Sequence, residues 1–167
     1  VCNTIIGNQV GEKITTAANN TAVGFDALSA NTTGAQNVAI GSNALKTSVT
    51  ASNNTAVGHE TLLNNTGSNN TAVGRDALKT NTSGVSNAAF GKCALCGNTT
   101  GSNNTAIGFS AMYEGTTTGD FNTMVGVSSG RKMTSGTQNT ASGVNSMESN
   151  TTGASNVAMG MSALTAN

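Results

Sequence analysis

Asn20-Thr-Ala-Val-Gly24 is written again and again along this chain. With Asn as position zero and Gly as position four, the unit starts at Asn3, Asn20, Asn37, Asn54, Asn70, Asn87, Asn104, Asn122, Asn139 and Asn156. The glycine follows each time, at Gly7, Gly24, Gly41, Gly58, Gly74, Gly91, Gly108, Gly126, Gly143 and Gly160. Successive starts are 17 residues apart, except for one step of 16 and one of 18. A period this short, held along the whole chain, means one supersecondary unit stacked on itself.

Working outward from that stretch, position one is Thr (Thr21, Thr55, Thr71, Thr105, Thr123, Thr140) or small and apolar (Val38, Ala88, Val157). Position two is Ala in eight of ten coils, and position three is usually aliphatic. Positions seven and eight read Ala27-Leu28, Ala44-Leu45, Ala77-Leu78, Ala94-Leu95, Ala111-Met112 and Ala163-Leu164. Most coils close on Asn-Thr-Thr-Gly or a near copy, as at 31–34, 81–84 and 98–101. Each coil therefore reads as two short strands and two turns. Thr-Ala-Val forms the first strand, stopped by a glycine that can take positive φ. Ala-Leu centres the second. Helix is excluded, because the pieces between glycines are too short and Asn, Thr and Gly are weak helix formers. Equivalent strands would stack in parallel about 4.8 Å apart, so ten coils make a rod roughly 48 Å long. The expected fold is all-β: a parallel β-roll or β-solenoid of ten coils of about 17 residues.

Composition agrees with a solenoid better than with a globule. Leu, Ile, Val and Phe make up about 17 % of the 167 residues, below the usual level for a packed core. Seven basic residues balance seven acidic ones, so the chain lacks the net charge that accompanies disorder. Neutrality also removes the electrostatic reason to expect nucleic acid or an anionic membrane as partner. No apolar run is long enough to span a bilayer. The chain begins at Val1 in mid-pattern, which reads as a fragment of a longer protein. Within the single repeat domain 1–167, coil 1–19 is the most degraded, 20–121 is regular and 122–167 is more divergent.

Neighbouring strand residues face opposite sides, so Ala22 and Val23 cannot both point inward. If the Ala row fills a narrow interior, the larger residues Val23, Ile40, Val57, Val73, Phe90, Ile107, Val125 and Met159 lie outside. An exposed aliphatic stripe along a rod asks for a partner, and another copy of the chain is the simplest one. The expectation is a parallel homotrimer about one axis.

Units such as Asn20-Thr-Ala-Val-Gly-Phe-Asp-Ala-Leu28 and Asn37-Val-Ala-Ile-Gly-Ser-Asn-Ala-Leu45 resemble the head repeats of trimeric autotransporter adhesins, the YadA-like heads. They are similar also to the longer Asn-Thr-Thr-Gly-linked repeats of phage and large-virus tail fibres. The resemblance covers nearly the whole chain. It implies a left-handed parallel β-roll with three chains to a rod, on a cell or virion surface. It further implies an adhesive or structural role, with a cell-surface glycan or protein receptor as partner. The tail-fibre likeness implies a C-terminal chaperone released by self-cleavage, which these residues do not contain. The adhesin unit is shorter than 17 residues, so Asn-Thr-Thr-Gly is an addition here. Coils starting at Asn122 and Asn139 drift, at Ser129-Gly130 and Ser142.

The candidate chemistry is sparse. The position-zero asparagines, Asn3 to Asn156, are expected to form an amide ladder along the rod. Asn-x-Ser/Thr sequons occur at Asn19, Asn31, Asn53, Asn64, Asn69, Asn81, Asn98, Asn103 and Asn150. They are glycan acceptors only on a eukaryotic secretory route, and an Asn- and Thr-rich repeat generates them by arithmetic. Cys93-Ala-Leu-Cys96 lies on the expected second strand. Two residues three apart on a strand are roughly 10 Å apart, too far for an intrachain disulfide. Packing as small hydrophobes is the plain reading, and thiols meeting across an oligomer axis the sharper one. Zinc would need four ligands, while Cys2 and His59 lie coils away.

His59-Glu60 and Arg75-Asp76 read as solvent-facing turn residues. A uniform rod supplies no concave site for acid–base work, so no enzyme activity, metal or cofactor is expected. A hexapeptide acyltransferase helix fails because the six-step positions after Val23 are Ser29 and Ala35. The nonapeptide calcium roll lacks its glycine pairs. The alternative function is ice binding through a Thr array, with Thr32, Thr66, Thr82 and Thr99 at one turn position and breaks at Ser48, Thr116 and Thr134.

Overall fold

A computed structural model describes residues 2–165. Ten three-residue strands follow one another: β1 Thr4–Ile6, β2 Thr21–Val23, β3 Val38–Ile40, β4 Thr55–Val57, β5 Thr71–Val73, β6 Ala88–Phe90, β7 Thr105–Ile107, β8 Thr123–Val125, β9 Thr140–Ser142 and β10 Val157–Met159. They form one ten-stranded parallel sheet in simple sequence order, a β-solenoid. Among the described residues there is no helix.

Register follows the repeat, Thr21 on Val38, Ala22 on Ala39 and Val23 on Ile40. The irregular steps do not disturb it. Across the 16-residue step Thr55 still pairs with Thr71, and across the 18-residue step Thr105 still pairs with Thr123. The insertion is absorbed between Met112 and Thr117, where Thr117 bridges to Asn98 of the preceding coil. A strand slip of one residue would exchange the inner and outer rows, so length variation is confined to the turns.

The expected second strand at Ala-Leu is not one. Residues at positions six and eight are left-handed, with Asp26 at φ 57° and Leu28 at φ 54°. The same conformation recurs at Leu45, Leu62, Leu78, Leu95, Met112 and Met147. The segment is thus a tight arc. It is nonetheless bonded to both neighbouring coils, since Asp26 N–H donates to Asn8 O and Leu28 N–H donates to Ala44 O. A left-handed leucine costs roughly 1–2 kcal/mol locally. Full burial of its side chain returns about 1.5–3 kcal/mol. Leu28, Leu45, Leu62, Leu78 and Leu95 are all wholly buried, so burial wins.

The core is correspondingly narrow. Ala22 and its equivalents enter from the sheet, and the Ala27 and Leu28 rows enter from the arc. Two coils fill the space differently. Where position eight is glycine, at Gly11 and Gly130, position two is large, at Ile5 and Met124. A Cβ on Gly130 would lie 2.8 Å from Met124 Sδ, and one on Gly11 3.1 Å from an Ile5 methyl. Large and small have changed places across the interior, so the drift at Ser129-Gly130 is a compensated repacking. Position four needs glycine for a separate reason. Gly74 has φ +132°, and a Cβ there would lie 2.5 Å from Gly91 O in the next coil.

Candidate functional site

The sheet alternates as strand geometry requires. Ala22, Ala39, Ala56, Ala72, Ala89 and Ala106 are fully buried, whereas position three faces out. Ile40 is 39 % exposed, Phe90 41 %, Ile107 42 % and Met159 77 %. Val23, Val57 and Val73 are half-buried, and Val125 is exposed. The outer stripe is therefore nearly continuous, interrupted at Ser142. Position one lies on the same face, so Thr21, Thr55, Thr71 and Thr105 run beside it. Beyond the glycine, position five adds exposed Phe25, Phe109, Val127, Val144 and Met161. In the middle coils that position is His59, Arg75 and Lys92 instead, and Lys92 Nζ lies 5.6 Å from the centre of the Phe109 ring. The broad apolar area at 107–161 was not visible as one feature in the sequence, because it joins positions three and five of successive coils, a pairing otherwise seen only at Val23 and Phe25.

The position-zero asparagines form a ladder with two kinds of rung. Each side-chain oxygen accepts the backbone N–H of the next asparagine, as from Asn37 N to Asn20 Oδ1 at 2.8 Å and from Asn87 N to Asn70 Oδ1 at 2.9 Å. From Asn3 to Asn139 each Nδ2 donates to the carbonyl that closes its own coil, as from Asn70 to Gly84 O at 2.9 Å. Direct amide–amide bonds are added at Asn20–Asn3, Asn87–Asn70, Asn122–Asn104, Asn139–Asn122 and Asn156–Asn139.

A second buried asparagine row runs alongside. Asn31, Asn65, Asn81, Asn98 and Asn150 are wholly buried. Asn81 Nδ2 donates to Asn65 Oδ1 at 2.7 Å and Asn98 Nδ2 to Asn81 Oδ1 at 2.7 Å. The fixed eleven-residue offset from the first row was the available signal. This corrects the sequon set. Asn31, Asn81 and Asn98 are interior groups that spend their amides on turn carbonyls or on each other, and buried Asn150 accepts the Gly153 N–H, so the folded rod presents none of them to a glycosylating enzyme. Asn19, Asn53, Asn64, Asn69 and Asn103 are exposed. Four of these, Asn19, Asn53, Asn69 and Asn103, have φ between 59° and 64°, a conformation Asn tolerates better than most residues.

The turn charges are less solvent-facing than expected. His59 and Arg75 are exposed, but Asp76 is buried and Glu60 half-buried. Lys79 Nζ lies 2.6 Å from Glu60 Oε2 and 3.4 Å from Asp76 Oδ1, and Arg75 Nε lies 3.0 Å from Asp76 Oδ2. The hydrogen bond to Glu60 raises the Lys79 pKa above its ordinary value, against partial desolvation. Ligand atoms of His59, Glu60 and Asp76 lie within 4.8 Å of one another. Both carboxylates already hold a protein cation, which any metal ion would have to displace. A similar network joins Lys46 to Asp26 at 2.8 Å, and Arg131 to Glu114 and Glu148.

Thr32, Thr66, Thr82 and Thr134 donate their hydroxyl protons to a carbonyl of the next coil. Thr134 thus continues the row rather than breaking it. The break is at Val49, which accepts from Thr32, while Ser48 is buried in the second asparagine row. Cys93 and Cys96 also move from their expected place. They sit on the arc, half-buried, with Cys93 close enough to Cys96 to add to the rise in its pKa. The separation of roughly 10 Å expected of an extended strand does not apply. Burial first, then Cys93, pushes the Cys96 thiol up to about 11. No protein-family model, curated protein or solved structure matches this chain.

Proposed function

We propose that this chain is a section of a stiff, parallel homotrimeric rod, the shaft or head of an adhesive fibre on a cell or virion surface. The observation that carries the reading is the outward row from Val23 to Val125, large apolar side chains on the open face of a parallel sheet, one per coil. Apolar surface of this length gains stability when removed from water, and a second and third copy in register bring the same row to the same height. The role is mechanical. Repetition gives length, coil-to-coil hydrogen bonding gives stiffness, and the turn side chains that vary between coils provide contacts for a glycan or protein receptor.

Light scattering on the chain tests this. The expected mass is three chains, and Val57→Asp with Val73→Asp is expected to split the assembly. A single-chain mass overturns the trimer, and unchanged assembly in the double variant overturns the outward apolar row as its interface.

One observation favours a second reading, ice binding. The outer face also repeats threonine at position one on regularly spaced rungs. That reading expects a monomer with thermal hysteresis, whereas the fibre reading expects an oligomer without it.

A further inference from the structure

We propose that Cys93 and Cys96 form a redox-responsive dithiol that closes to a disulfide within one coil. The argument starts from the arc. Positions six and nine of a coil are the ends of a four-residue turn. Ser29 N–H donates to Asp26 O at 3.4 Å, and Lys79 N–H to Asp76 O at 3.3 Å. Cys93 and Cys96 hold these same two positions, and Cys93 has the same left-handed φ, 58°, as Asp76 at 60°. A four-residue turn keeps its end Cα atoms within about 7 Å, overlapping the range that a disulfide spans. Side chains at these positions do meet, since Asp76 and Lys79 are 3.4 Å apart in the preceding coil. Both thiols are half-buried, open enough for a small oxidant to reach, and Cys93 is near enough to Cys96 to add to the rise in its pKa.

The groups stacked on either side are Asp76 and Lys79 of the preceding coil and Ser110 and Tyr113 of the following one. None of these is a third thiol. Cys2 belongs to the first coil. Partner choice is therefore settled within the coil.

With hydrogen peroxide as oxidant the step balances. The Cys93 sulfur, as thiolate, attacks one peroxide oxygen. The O–O bond breaks, and the departing hydroxide takes a proton and leaves as water. The Cys96 sulfur then attacks the Cys93 sulfenic acid. The S–O bond breaks, a second water leaves carrying the Cys96 proton, and the S–S bond forms. Two thiols are oxidised and one peroxide is reduced. Cys93 acts first, because burial holds Cys96 in its protonated, less nucleophilic form. The inference is independent of the oligomeric state, since both sulfurs belong to one chain.

The test is peroxide treatment of the reduced chain, alkylation of the remaining thiols, and peptide mapping. Tryptic cleavage after Lys92 leaves both cysteines on one peptide, 93–131. The expected product is that peptide lighter by two hydrogens and unalkylated, restored by dithiothreitol, while Cys2 forms no bond to it. In Cys96→Ser the same treatment is expected to leave Cys93 as sulfenic or sulfinic acid. As a second measurement, phenylarsine oxide is expected to bind the untreated reduced chain one to one and protect both thiols. It should fail to protect Cys93 in Cys96→Ser. Cross-linking of two chains through Cys93, independent over-oxidation of both sulfurs in the wild type, or no protection by the arsenical would each overturn the proposal.

Discussion

Replacing Asn70 by Ala tests the ladder, and the structure allows the cost to be worked out. Asn70 is wholly buried. Its Oδ1 accepts from the Asn87 N–H at 2.9 Å and from Asn87 Nδ2 at 3.2 Å, and its Nδ2 donates to Gly84 O and Asn65 Oδ1. Three of the four partners are covered after truncation. Gly84 O and Asn65 Oδ1 still receive Asn81 Nδ2, and Asn87 Nδ2 still reaches Gly101 O. The Asn87 backbone N–H is left with no acceptor in a dry interior. An orphaned buried donor costs about 1–3 kcal/mol, and the remaining net bonds about 0.5–1.5 kcal/mol each, so the total is about 3 kcal/mol. The control is the adjacent Asn69→Ala. Asn69 is exposed at φ 64°, and Ala there loses only the asparagine's tolerance of that conformation, about 1 kcal/mol. Urea unfolding at one fixed chain concentration measures the difference, and hydrogen exchange at the Asn87 amide locates it. Equal destabilisation by the two variants, or an Asn87 amide that stays protected in Asn70→Ala, would refute the reasoning.

Three more outcomes follow from the packing. Met124→Ala should cost about 2–5 kcal/mol through the cavity it leaves. Gly130→Leu alone should also destabilise, because its first carbon meets Met124 Sδ, yet the two together restore the ordinary Ala-and-Leu coil. A double-mutant cycle by thermal unfolding checks this, and additive losses would show that the two positions do not share one space. Gly74→Ala should cost about 3 kcal/mol or more through its φ and the collision with Gly91 O, and an unchanged melting midpoint would contradict it. Near neutral pH, iodoacetamide should label exposed Cys2 before Cys96, whose reaction should accelerate as pH climbs toward about 11. Peptide mapping across a pH series reads this, and early labelling of Cys96 would show that its thiol is not held protonated.

What the sequence by itself determined is everything that depends on local alternation and on the repeat. Thr-Ala-Val has to be a strand before Gly, and period two then fixes Ala22 inside and Val23 outside. The constant spacing fixes the register, and the recurring position-zero Asn fixes a ladder. Those inferences need only the geometry of one strand and its copy. The tertiary structure decided the rest of the coil, because there the backbone conformation is set by neighbours. An Ala-Leu pair favours no arc locally. Leu28 takes its left-handed φ because the next coil accepts its N–H and the interior takes its side chain. Once that arc forms, Cys93 and Cys96 become turn partners, Asp76 is tucked beneath Lys79, and Asn31 and Asn81 turn inward to satisfy turn carbonyls. The exchange of bulk between Met124 and Gly130 was equally hidden, since positions two and eight meet only across the folded interior.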